Sequence, residues 1–393
     1  MTKGKSEELF VAGIDLHADQ FTAALLSGRT ALDARREWVH HAVDNASWKQ
    51  WLTQKIPKGT ILVFEAGTNS FEFAARAERL GLKAVVLEST RVGKLAKDYC
   101  KTDKEDAVKL ARIYFSGLAE EVWQPDELTR QRRELCSAYD RAVKDSTRTT
   151  NRLKSFLTQH GVRLRKRRLR TPDTQPWVLT SYPWTKLQAA LLTSMFRDEA
   201  YTHERRHSLR AKVIELALES PDARELMKLC GIRAITAFEL VAVIGDIKRF
   251  KTPKKLVTYI GLNPTVSQSA DKDGSRRVRK RGKKCARSKL IQSAKSFLRA
   301  KHTPSTSLQK WGLKLKMRKG ANKATVAVAR KMVVAAWYLL NGLMPREIAD
   351  EKQMRAKLKK IAETLTAPIL KTLGYDSSRA FIEDYLQCFS LVT

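Results

Sequence analysis

The sequence is poor in the residues that build disulfide scaffolds and zinc sites. Its five cysteines, Cys100, Cys136, Cys230, Cys285 and Cys388, are scattered over 393 residues without a Cys-x-x-Cys pair. That spacing argues against a disulfide framework and a zinc ribbon, and fits a reducing cytoplasm. The seven histidines form no metal-ligand cluster along the chain. Long apolar runs are missing too. MTKGKSEELF lacks the apolar core of a signal peptide, and Met332 to Leu343 is too short to span a bilayer. The expectation is a soluble cytoplasmic protein with no membrane partner. Acidic residues are scarce: 41 Asp and Glu stand against 75 Lys and Arg, a formal net charge of +34. Such a surplus repels itself in a compact chain unless a polyanion neutralises it, and nucleic acid is the natural candidate.

What is present suffices for real cores, with 43% hydrophobic residues, and the length predicts two or three domains. No internal repeat is visible. LFVAGIDL reads as a buried strand, FTAALLS as its hairpin partner and ARREWVH as a third strand. A helix follows around Asn45 to Gln54. TILVFEA is a short apolar run ending at Glu65, Phe71 to Leu80 a helix, LKAVVLE another strand, and Thr102 to Phe115 an amphipathic helix. This order suits an α/β, ribonuclease-H-like (RuvC-like) domain over residues 1–122. Residues 123–220 read as a helical, coiled-coil linker: Leu128 to Gln159 is a long helical pattern, and TPDTQPW after the basic RLRKRRLR reads as a loop. Residues 221–343 form a mainly α-helical C-terminal domain, in which Gly231, Gly245 and Gly261 separate or stop helices and Thr252-Pro253 starts one. Residues 344–393 read as a helical tail without a familiar motif.

Four acids stand where chemistry is expected. Asp15 lies near the end of the first strand, Glu65 ends a central strand, and Asp103 and Asp106 share one helix face in KTDKEDA. An acid beside an apolar strand is costly unless compensated. Elements converging at one sheet edge would offset that cost by holding Mg²⁺, with Mn²⁺ as the alternative ion, and two such ions stabilise in-line phosphoryl transfer. Each acid also has a plain structural reading: a turn at Asp15, a helix cap at Glu65, and a Thr102–Glu105 capping box that Asp103 merely complements. Glu72, Glu78, Glu88, Asp98 and Glu105 lie nearby, and spacing alone does not exclude them.

A second constellation lies in GLNPTVSQSADKDGSRRVRKRGKKCARSK. Nine of the fourteen residues from Arg276 to Lys289 are Lys or Arg. Arg276, Arg277, Arg279, Lys280, Arg281, Lys283 and Lys284 are candidate phosphate contacts, as are Arg165, Lys166, Arg167 and Arg168 upstream. Thr265, Ser267, Ser269 and Ser275 place hydroxyls beside this run. A serine there either attacks phosphorus or serves as an ordinary hydrogen-bonding loop residue.

Taken together, GIDLH, FEAG and KTDKEDA, then GIRAITAFELVAVIGDIKRF, LVTYIGLNPTVSQSADKDG and KATVAVARKMVVAAWYLL, resemble a DEDD transposase of insertion-sequence family 110, including its 1111 subgroup. These are bridge-RNA-guided serine recombinases. The resemblance covers roughly residues 9–343. It implies that Asp15, Glu65, Asp103 and Asp106 are the metal-binding acids and that Ser269, in QSA, is the nucleophile, with Ser267 as the alternative. Ala270 stands where the family usually has glycine. It further implies donor and target DNA and a structured noncoding RNA as partners, at the bacterial or archaeal nucleoid. A homo-oligomer, dimer or tetramer, would have composite active sites that cut and rejoin strands. Two other readings compete. One is a RuvC-type endonuclease acting on branched DNA through metal-activated water, with Ser269 only a phosphate contact. The other is a nucleic-acid-binding scaffold with structural acids.

Overall fold

The computed structural model describes residues 8–89, 92–93, 102–118, 120–165, 167–263, 282–300, 306–346 and 348–389. They fall into two units, Met1–Pro125 and Asp126–Thr393.

The first unit is a mixed five-stranded sheet in the order β3-β2-β1-β4-β5. Its strands are β1 (Leu9–Leu16), β2 (Gln20–Gly28), β3 (Arg35–Asp44), β4 (Ile61–Glu65) and β5 (Lys83–Leu87). The first three pair antiparallel, and β4 and β5 run parallel to β1. Alternation along the strands gives the sheet two apolar faces. Ala12, Ile14, Phe21, Leu62, Phe64 and Val86 pack under α1 (Trp48–Lys55) and α2 (Ser70–Glu78), through Trp48, Trp51, Leu52 and Phe73. Phe21 meets Trp48 and Trp51 edge-on, with ring centroids 5.0 Å apart, the arrangement aromatic quadrupoles prefer. Val11, Leu26, Ile61, Val63 and Leu87 face the other way, onto Ala107, Val108, Leu110 and Ala111 of α3 (Asp103–Phe115). The expected strands and helices of this region are present. The helix expected from Asn45 begins as a 3₁₀ turn, Asn45–Ser47, capped by Asp44.

The second unit is helical. Its frame is α4 (Glu127–Gln159), capped by Asp126, with α5 (Thr174–Ser181) and α6 (Lys186–Glu219), which opens on a capping box between Thr185 and Gln188. α4 and α6 run antiparallel: His160 meets Gln188 at 3.1 Å, Thr149 meets Thr202 at 2.7 Å, and Tyr139 shares a core with Ile214. α5 corrects the sequence reading, which made 171–177 a loop. Pro176 falls at the third helical position, where its missing N–H has no intrahelical acceptor to lose.

Next come α7 (Pro221–Met227), α8 (Ala234–Ile244), α9 (Pro253–Ile260), α10 (Lys284–Arg299), α11 (Ser307–Lys319) and α12 (Ala321–Leu340). Gly245 (φ 61°) and Gly261 (φ 83°) end α8 and α9 in the region glycine tolerates. The tail forms α13 (Glu351–Thr372) and α14 (Ser378–Cys388). It is no loose appendage: Met354, Leu358, Ile361, Leu365 and Phe381 are buried in the same core as α8, α10 and α12. No described helix is long and apolar enough to cross a membrane.

Candidate active site

The site grows out of the register between β1 and β4. Ile14 pairs with Phe64 in a parallel ladder, so the next residues, Asp15 and Glu65, sit side by side where both strands end. Neighbouring strands lie about 4.8 Å apart, close enough for two carboxylates to share one ion. Asp15 has the parity of Val11 and Gly13, and Glu65 that of Ile61 and Val63, so both belong to the face that receives α3.

α3 reaches that face because Gly13 has no side chain. A Cβ on Gly13 would stand 2.0 Å from the Ala107 carbonyl oxygen and 2.8 Å from the Ala111 nitrogen. The bare backbone lets the helix lie directly on β1. Thr102 caps α3, its hydroxyl accepting from Glu105 N at 3.3 Å, the half of the expected capping box that involves the hydroxyl. Asp103 and Asp106 therefore enter in the first turn, where the helix dipole favours negative charge.

His17 ties the two halves together. Its Nε2 lies 3.3 Å from Asp15 Oδ2 and 3.4 Å from Asp103 Oδ2. One ligand atom from each of Asp15, His17 and Asp103 falls within 4.8 Å of the others, a spacing able to hold a metal ion. The His17 turn is pinned, since its carbonyl accepts from Asn45 Nδ2 at 3.2 Å and Asn69 Nδ2 at 2.9 Å. Burial raises the Asp15 carboxyl above its ordinary range; Asp103 and Asp106 push it the same way, and His17 pulls against them. Asp106 also lies 3.5 Å from Lys109 Nζ. A cleft of about 590 Å³ opens beside Asp15 and Glu65, walled by Ala66, Gly67, Thr68 and Asn69. Acids of one charge, half-buried around a shared opening, attract a hard cation.

The sequence reading left out His17, because it found no histidine cluster along the chain. The signal was in GIDLH: His17 follows Asp15 by two residues, just beyond the end of β1.

The basic candidates are dispersed within the second unit. Arg165, Arg167 and Arg168 are exposed beyond the end of α4, and Arg168 lies over the Trp177 ring at 4.7 Å. Lys283 and Lys284 stand at the start of α10, with Lys283 Nζ 5.6 Å from the Tyr259 ring centre. Ser269, Ser267, Lys166, Arg276, Arg277, Arg279, Lys280 and Arg281 lie outside the described residues. A second group that brings ligand atoms together, Asp140, Glu239 and Cys285, already has a cation: Lys289 Nζ sits 2.6 Å from Asp140 Oδ1.

The mixed sheet, its helices and the acid cluster at its edge are consistent with a ribonuclease-H-like domain. A DEDD transposase model of the IS110 type matches residues 12–162, and a model described as the transposase IS116/IS110/IS902 family matches residues 223–309. Both stretches of the chain are thus similar to IS110-type transposases. Similar relatives include the transposase for insertion sequence element IS1111A of Coxiella burnetii, 26% identical over 52% of this chain and 57% of its own length. The putative transposase y4qE of Sinorhizobium fredii is 23% identical over 60% of this chain and 57% of its own length. The putative transposase y4rJ of the same organism is 28% identical over 72% and 77%. The chain thus matches little more than half the length of the first two.

Proposed function

We propose that the chain is a DNA transposase or recombinase that cuts and rejoins strands, with Ser269 as nucleophile and Asp15, Glu65, Asp103 and Asp106 holding Mg²⁺ or Mn²⁺. The observation that carries the reading is the convergence of Asp15, His17 and Asp103 within 4.8 Å on the sheet face to which Glu65 also belongs. The donor set fits a hard divalent cation: it is made of carboxylates, one imidazole accompanies them, and like charges at this spacing need a counterion. When bound, that cation supplies positive charge to the attacking and leaving oxygens of a phosphodiester.

The protein's own groups do the rest. His17 bridges Asp15 and Asp103 and keeps them from splaying. The Ser269 hydroxyl attacks phosphorus as the P–O bond to one strand end breaks. That end leaves as a free hydroxyl, taking up the proton the serine loses, and the other end stays as a serine phosphoester, its bond energy conserved until another strand's free hydroxyl displaces the serine. Residues 123–220 serve as the linker between the acid-bearing and serine-bearing parts. Arg165 to Arg168 and Arg276 to Lys284 hold phosphates without reading bases. Sequence choice falls to a structured bridge RNA, and sites are composite within a dimer or tetramer.

A denaturing gel with end-labelled element DNA tests the reading. Wild type should retain label on the protein, whereas Ser269→Ala and Asp15→Asn should not. Normal cleavage without any adduct, unchanged by Ser269→Ala, would replace this function with that of a RuvC-type endonuclease.

A further inference from the structure

A cavity in the second unit carries a charge pattern that the acid site does not use. It measures about 270 Å³ and lies among α6, α8, α10 and α13. Five basic side chains line it: Arg210 from α6, Arg233 before α8, Lys289 from α10, and Lys357 and Lys360 from the tail helix α13. No carboxylate is among the described residues of its lining. Lys289 and Lys360 have acidic partners, Asp140 and Glu363. Arg210 and Arg233 have no ion-pair partner among the described residues. The Arg210 Nε is buried without a hydrogen-bond partner, an arrangement that costs stability unless a ligand accepts from it.

The backbone adds to this. α8 starts at the cavity: Ala234, Ile235 and Thr236 of its first turn are in the lining, and no side chain caps that turn. Helix N-termini present free N–H groups and a positive dipole end, a ready seat for an anion. The tail closes the opposite wall. Lys357 is 8% exposed and anchors α13 by donating to the Met227 and Leu229 carbonyls at 2.5 and 2.7 Å, which brings exposed Lys360 to the rim. A smaller cavity of about 140 Å³ shares Gly231, Arg233, Ser293, Ser296 and Lys357 with the first, so the groove continues along α10.

We infer that this groove is a backbone-binding subsite that seats a phosphodiester of a nucleic-acid strand between the uncapped start of α8, Arg210 and Arg233, with the tail helix as its far wall. The chemistry is that of a phosphate monoanion: bidentate guanidinium donors, backbone N–H groups and serine hydroxyls, with nothing that reads a base. The tail therefore belongs to the nucleic-acid surface, a role its sequence did not disclose.

The test measures binding of full-length protein to a 30-base-pair DNA duplex and to a hairpin RNA across a salt series, using Arg233→Ala and Lys360→Ala. Both side chains are exposed, so these variants fold; Arg210→Gln, monitored by thermal melting, adds the buried donor. For at least one probe, Arg233→Ala should weaken binding about tenfold at low salt, as loss of a charged hydrogen bond does. It should also reduce the slope of log affinity against log salt by about 0.9, as loss of one phosphate contact does. Lys360→Ala should do the same to a smaller degree. Loss with DNA alone or RNA alone names the strand that sits there. Unchanged affinity and slope with both probes would overturn the subsite. The binding readout is taken without added metal and needs no strand cleavage, so failure of the groove is separable from failure of the proposed chemistry.

Discussion

Gly13→Ala tests how the acids are brought together. A methyl at that position starts 2.0 Å from the Ala107 oxygen and must stand beyond 3.0 Å, so α3 has to retreat from β1 by about 1 Å. Both obstructing atoms are backbone, so no rotamer change relieves the contact. Overpacking of this kind costs about 2–3 kcal/mol, which in a unit spanning Met1–Pro125 lowers the melting temperature by roughly 10 °C. The same retreat carries Asp103 and Asp106 away from Asp15, and a misplacement of about 1 Å lowers a reaction rate by about 100-fold. Gly93→Ala is the control, since a Cβ there meets nothing within 4 Å. Chemical denaturation and a strand-joining assay on both variants decide the matter. A Gly13→Ala protein as stable and active as the control would refute the claim that this glycine sets the site.

Other outcomes follow from named contacts. Adding Mg²⁺ or Mn²⁺ at about 100 times its dissociation constant should stabilise the wild type by about 2.7 kcal/mol, and Asp15→Asn should abolish that stabilisation in calorimetry. Glu199 is 3% exposed and accepts from Arg170 Nε and Thr150 Oγ1, both at 3.0 Å; Arg170→Ala should cost about 3 kcal/mol in urea unfolding, and Arg170→Met with Glu199→Leu should recover most of it. Burial pulls the Lys357 ammonium down to about 7 from 10.5. Between those values the unfolded chain binds the extra proton, so stability should rise as pH climbs from 7 towards 10 and fall as pH drops through 7, by at most about 1.4 kcal/mol per unit. Lys357→Met should flatten that profile.

The strands and their order of appearance were legible because apolar runs such as LFVAGIDL and TILVFEA end in single acids, which a sheet edge tolerates and a strand interior does not. Asp15 and Glu65 stood out for the same reason, and Asp103 and Asp106 because their spacing in KTDKEDA puts them on one helix face. His17 did not, since a histidine in a polar turn looks like solvent-facing loop until its contacts with Asp15 and Asp103 and the asparagine clamp on its carbonyl are seen together. α5 was hidden by Pro176, whose breaking tendency vanishes in a first turn. The tail was illegible for a different reason. Its docking rests on Met354, Leu358 and Ile361 meeting helices more than fifty residues away in sequence, and on one lysine donating to two carbonyls, a tertiary arrangement that no local pattern announces.

Binding of Mn²⁺ followed by electron paramagnetic resonance tests the central claim most directly, because it reads the acids without requiring DNA, RNA or turnover. Wild type and Ser269→Ala should take up Mn²⁺ alike, while Asp15→Asn and Asp103→Asn, each still folded, should lose that uptake. Equal binding by all four proteins would contradict the account.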